Sequence, residues 1–214
     1  MPDIKHFDPD EALDRVVRLF WEHGAATTSI QAVATATGLN RSSLYATFGG
    51  KRELYLAALR RYLRDHSHRA FAFVAEDGRG LPAIRAFFAG LIDLRCTGPY
   101  AGWGCMAVNA HAGGERDDPE VRALLDDHHE RLRGAMRTAL AAARAKGDLT
   151  PGTDVDATAE ILALLAYGVN LRSRAGADAE GLRGVVEVAL GALGASGRAG
   201  APGVDADTDA GGVV

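Results

Sequence analysis

With 214 residues, 47% of them hydrophobic, the chain can bury a proper core in one large or two small domains. Its formal charge of −4 is at first sight the wrong sign for a nucleic-acid binder, and two cysteines, Cys96 and Cys105, suit a reducing compartment and argue against a disulfide framework. No charged-then-apolar leader is present, and the longest apolar run, 161–166, is far too short to span a bilayer, so the expected location is the cytoplasm with no membrane partner.

No stretch alternates apolar and polar residues as a strand would, so the expected fold is all-α, with about nine helices. Asp8 as cap, Pro9 in the first turn and Glu11 announce the first helix, in which Leu13, Val16, Val17 and Phe20 fall at helical spacing before Gly24. Thr28 caps a short second helix, with Gln31 completing a capping box. Gly38 supplies a tight turn, and Asn40 caps a third helix, 41–48. A fourth helix runs from Lys51 past Arg64 toward Glu76. Gly78, Gly80 and Pro82 separate it from a helix over 83–95. A short helix is expected from about Trp103 to His111, and a long one from Pro119 to about Ala145, capped by Asp117 or Asp118. Two more cover 155–173 and 179–193, and a Gly/Ala/Asp-rich tail over 195–214 lacks the apolar bulk to order itself.

The third helix presents Arg41, Ser42, Ser43, Tyr45 and Thr47 on one face, while Leu44 and Phe48 face the other way. Short hydroxyls, one guanidinium and an amphipathic aromatic suit a helix that lies in the major groove, where side chains must approach base edges and phosphates closely. Residues 25–64 carry Arg41, Lys51, Arg52, Arg60, Arg61 and Arg64 against Glu53 alone, a basic patch on an otherwise acidic chain.

The run AVATATGLNRSSLYATFGGKRELYLAAL, after HGAATTSI, resembles the DNA-binding domain of TetR-family transcriptional regulators. The matches to that family's pattern include Gly24, Thr28, Ser29, Ile30, Gly38, Leu39, Ser43, Leu44, Tyr45, Phe48, Lys51 and Leu54, over residues 8–65. Beyond them the likeness is weaker: GWGCMAVNAH is similar to a G-C-x-x-x-N segment of a subset of these regulators. The resemblance implies a helix-turn-helix DNA-binding domain over 1–50 and a helical ligand-binding and dimerisation domain over 51–194. It also implies a homodimeric repressor that leaves a palindromic double-stranded operator when a small-molecule inducer binds.

In that setting Arg41 either reads a guanine edge or clamps a phosphate, and Ser42 and Ser43 serve bases or phosphates. Tyr45, Thr28, Ser29 and Lys51 are expected on phosphates, with Thr47 on the same face. The last two helices would form the dimer interface, through Leu162, Leu165, Val169, Val185, Val186, Ala189 and Leu193. Among the middle helices, Phe71, Phe88, Leu91, Trp103, Cys105, Met106, Asn109, Met136 and Tyr167 are the candidate pocket. Cys105, near a helix amino terminus, is either an ordinary small hydrophobe or a thiol that senses electrophiles or oxidants. No histidine or lysine adjoins it in sequence.

His66, His68, His111, His128 and His129 lack metal-ligand spacing and read as solvated faces. No Ser–His–Asp set, P-loop or dinucleotide turn occurs, so no catalytic residue, metal or cofactor is expected.

Overall fold

The computed structural model describes residues 7–195, and the tail expected over 195–214 lies, apart from Ala195, outside them. Among the described residues there are nine helices and no β-strand, only an isolated bridge between Leu149 and Gly194. Helix α1 spans Pro9–His23, with the Asp8 carboxylate accepting from the Asp10 N–H. Helix α2, Ile30–Thr37, is capped by Ser29, whose hydroxyl accepts from the Ala32 N–H at 3.1 Å. This corrects the expected cap: Thr28 is buried and its hydroxyl donates to the Gly24 carbonyl at 2.7 Å. Gly38 turns the chain at φ +73°, and Asn40 accepts from the Ser43 N–H to start α3, Arg41–Phe48.

Helix α4 is continuous but not uniform. It is α-helical over Lys51–Tyr62, π-helical over Leu63–His68, and α-helical again over Arg69–Asp77. Helix α5 spans Leu81–Cys96. Helix α6 spans Met106–Ala112 and begins later than expected, because Gly102 and Gly104 hold positive φ values of 76° and 65° that end any helical run through them. A 3₁₀ turn, Gly114–Asp117, leads into α7, Pro119–Lys146, which Asp118 caps. Helices α8, Val155–Arg174, and α9, Ala179–Gly191, are capped by Asp154 and Asp178.

Two apolar cores organise these elements. The first gathers Val16, Phe20 and Trp21 of α1, Val33, Leu44 and the first part of α4. It also takes in Cys105–Ala110 and the Val121 and Leu125 end of α7. The second gathers Phe71 and Val74 with Ile84, Phe88 and Ile92, the Leu132–Ala143 part of α7, and the inner faces of α8 and α9. Residues 7–50 therefore do not close a core by themselves; α4, α6 and the start of α7 complete it. Helix α7 passes through both cores, and its close approach to the start of α5 requires Gly80, where an added Cβ would sit 2.9 Å from the Ala143 backbone.

Candidate DNA-reading head and ligand cavity

On α3, Arg41, Ser42, Tyr45 and Thr47 are exposed and Ser43 is half-buried, while Leu44 is buried in the first core and Phe48 packs against it. Ser29 is exposed at the start of α2 and Lys51 half-buried at the start of α4, so both keep access to solvent. Thr28 does not: it is 3% exposed, which removes it as a phosphate contact. Arg41 Nε donates to Gln31 Oε1 at 3.2 Å, tying α3 to α2.

The basic patch needs a correction. Arg52 bonds Asp118 and Glu120, Arg60 bonds Glu120, Arg61 bonds Asp10 and Asp14, and Arg64 bonds Asp65. Only Arg41 and Lys51, of the six, make no ion pair among the described residues. The acids come from α1, from α4 itself and from the start of α7; Asp65 directly follows the 25–64 window, and the others reach the head only through the fold. The Arg52 hydrogen bond holds the Asp118 carboxyl below its ordinary value.

A cavity of about 300 Å³ lies among α4, α5, α6, α7 and α8. Its apolar wall comes from side chains such as Phe71, Phe87, Leu91 and Leu132, and its polar wall from His66, Arg95, Cys105, His128, Tyr167 and Asn170. Of the expected pocket residues, Phe71, Leu91, Cys105 and Tyr167 line it. The other five do not. Phe88 and Met136 are buried in the second core. Trp103 packs edge-on against Trp21 with centroids 5.4 Å apart. Met106 and Asn109 face a separate cleft beside α1, and Asn109 Nδ2 donates to the Trp103 carbonyl at 2.9 Å.

Arg95 and His128 are 5% and 2% exposed, so the expectation of solvated histidines fails at His128. Arg95 Nε donates to Asn170 Oδ1 at 2.7 Å and Nη2 to the Tyr62 hydroxyl at 3.2 Å, and the guanidinium lies 5.3 Å from the Trp21 ring centroid. Burial pushes the Cys105 thiol up, but hydrogen bonding and charge from His128, the Arg95 charge and the Tyr62 hydroxyl outweigh it, and the thiol settles at about 6. Burial pushes the Tyr167 hydroxyl up.

The profile of bacterial regulatory proteins of the tetR family matches residues 12–58, and that of the tetracyclin repressor-like C-terminal domain matches 80–188, just over half the chain. The chain belongs to the TetR family. It is 30% identical to the HTH-type transcriptional repressor ComR of Escherichia coli K12 over 188 residues, which cover 87% of this chain and 89% of ComR. Over 184 residues it is 27% identical to the HTH-type transcriptional repressor AcnR of Corynebacterium glutamicum, covering 86% and 90% of the two chains. A cysteine mutant of the TetR-family regulator CifR, solved with 26-base-pair operator DNA, superposes with a TM-score of 0.78 at 27% identity, covering 89% of this chain and 99% of that one. The chain is thus a DNA-binding transcriptional regulator.

In this TetR-family chain, cavity and head are joined by short bonds. The carbonyl of Gly104, next to Cys105, accepts from Trp21 Nε1 at 2.8 Å. Arg174 of α8 donates to the carbonyls of Trp103 and Glu22, and Glu115 accepts from the Ala25 and Ala26 N–H groups just before α2. Gly104 itself cannot be replaced freely, since an added Cβ would lie 3.0 Å from Asn109 Oδ1 and 3.1 Å from the Asn170 carbonyl.

The outer face of α8 and α9 carries Ile161, Leu164, Leu171, Val185 and Val188, all exposed in the protomer. Of the expected interface residues, Val185 lies on this face and Leu165, Ala189 and Leu193 are half-buried at its margin. Leu162, Val169 and Val186 point inward to the second core and are corrected to core residues. Helix α8 is apolar nearly all round, so periodicity alone did not decide which stripe faces out.

Arg95 goes unremarked in the sequence and His128 reads there as a solvated face, yet a signal is present for both. His128 falls in register with Val121, Leu125 and Leu132, and Arg95 with Ile84, Phe88 and Ile92. A polar residue on the buried stripe of an amphipathic helix is the mark of an interior polar site.

Proposed function

We propose that the protein is a repressor that holds a palindromic double-stranded operator as a homodimer and releases it when a small molecule fills the cavity. Residues 1–50 serve as the reading head and 51–194 as the ligand-binding and dimerisation part. A regulator of this kind meets its operator in the cytoplasm. The observation that carries the reading is the Trp21–Gly104 hydrogen bond, which ties the cavity wall at Cys105 to helix α1 behind the reading helix. A ligand that displaces this wall favours dimers whose heads no longer match two half-sites about one DNA turn apart. Tenfold weaker binding requires only about 1.4 kcal/mol of differential affinity.

Footprinting of the purified protein on DNA upstream of its own gene tests this, and two symmetric protected half-sites are the expected result. Protection of a single half-site would contradict the dimeric reading. A second reading, a thiol switch at Cys105, is favoured by the thiolate its surroundings stabilise. There the sulfur would add to an electrophilic carbon. Cys105→Ser separates the two: under ligand gating it still responds to the inducer, and under the thiol switch it does not.

A further inference from the structure

We propose that Arg95 and His128 form an anion subsite in the polar wall of the cavity, and that the inducer is an apolar molecule bearing one carboxylate. The inference rests on the ligand-gated reading above and gives the ligand its chemical class.

A buried guanidinium is strongly unfavourable unless paired, because desolvation removes far more than neutral hydrogen bonds return. Arg95 is 5% exposed, yet every acceptor it hydrogen-bonds is neutral, the Asn170 amide and the Tyr62 hydroxyl; the Cys105 thiolate on the same wall takes its hydrogen bonds from His128 and Tyr62 and leaves the guanidinium without a direct partner. Among the described residues its Nη1 has no partner, and neither has Nδ1 of His128, buried on the same wall. No aspartate or glutamate among them lines the cavity. Arg95 is also held in place rather than loosely packed. Asn170 is pinned by its own bond from Nδ2 to the Ala166 carbonyl at 2.8 Å, and the guanidinium lies against Trp21. A fixed, buried cation with one unpartnered nitrogen, and an unpartnered ring nitrogen on the same wall, fits a planar anion that accepts from both.

The remainder of the ligand follows from the other wall. Phe71, Phe87, Leu91 and Leu132 offer only apolar surface, and about 300 Å³ accommodates a small aryl or medium alkyl group. One unpartnered guanidinium nitrogen and one unpartnered ring nitrogen match the two oxygens of a planar carboxylate rather than a tetrahedral phosphate dianion.

Isothermal titration of the full-length protein with octanoate and 4-phenylbutyrate, each beside its primary amide, tests the proposal. The acids are expected to bind roughly tenfold or more tightly than the amides, a difference within reach of one charge-assisted bidentate contact. The preference should vanish in Arg95→Gln and persist in Arg95→Lys, which keeps the charge should the glutamine variant fold poorly. Equal binding of acid and amide by the wild type overturns the subsite while leaving a ligand cavity in place. A preference surviving in folded Arg95→Gln, or no binding by either series, also overturns it. If acids bind with the expected preference but footprints on operator DNA persist, the subsite stands and ligand-gated release fails.

Discussion

Arg41 and Arg95 each sit near one end of a helix, and their surroundings give them opposite tasks. Arg41 is exposed, with one bond to Gln31 and guanidinium donors left for DNA. Arg41→Ala is expected to weaken operator binding by about 1–3 kcal/mol if the side chain reads a base, with helicity unchanged, as gel-shift titration beside circular dichroism would register. Tyr45→Phe should weaken binding through loss of a single hydroxyl contact, in the same assay. Cys105 gives a pH prediction. Its thiol is depressed in the folded chain relative to an ordinary cysteine, so the folded state binds the proton less tightly than the unfolded one. Stability from this group is therefore fully present above the ordinary thiol value and is lost as pH falls toward about 6. Melting temperatures of the wild type should gain on those of Cys105→Ser between pH 6 and pH 9. A constant difference across that range would show that the thiol is not shifted.

Among the elements, helix starts were the most legible part of the sequence. Asp8, Asn40, Asp118 and the glycine turn at Gly38 act as their residue types require, because a cap depends on atoms two or three residues away. Facing was less legible. Ser29 rather than Thr28 caps α2, because the Thr28 hydroxyl is taken by the Gly24 carbonyl, and the outward stripe of α8, Ile161 and Leu164, is offset by one residue from the expected Leu162 and Leu165, since facing depends on helices far along the chain. The ion pairs of Arg52 and Arg60 were illegible because their partners are distant in sequence: Asp118 and Glu120 lie sixty or more residues away. They also yield a prediction. The double variant Asp118→Asn with Glu120→Gln keeps a competent cap on α7, frees Arg60 and leaves Arg52 only its 3.6 Å pair with Glu53. Binding to DNA of arbitrary sequence should strengthen, and the salt dependence should steepen by about 0.9 for each further phosphate neutralised. An unchanged slope would place these arginines away from the duplex. Each exposed pair contributes only about 0.2–1 kcal/mol to folding, so stability should hardly move.

At the scale of the whole molecule, the outward stripe of α8 and α9 is the proposed dimer interface. Val188 is 77% exposed in the protomer and Val186 is 3% exposed, two residues apart on one helix. Val188→Asp is expected to give a folded monomer by light scattering, with operator affinity collapsing because one head makes too few contacts. Val186→Asp should instead unfold the second core, since an unpaired charge would be buried there. If both variants remain dimeric, the interface lies elsewhere.

The neutralised arginines beside the head bear on how such a protein shares itself out across a chromosome. A genome presents on the order of 10⁶–10⁹ competing sites, and a broad free cationic surface adsorbs to all of them. Here Arg52, Arg60, Arg61 and Arg64 are already answered by the protein's own carboxylates. Less of the protein is then drawn onto irrelevant sequence than a bare cationic surface of the same arginines would hold.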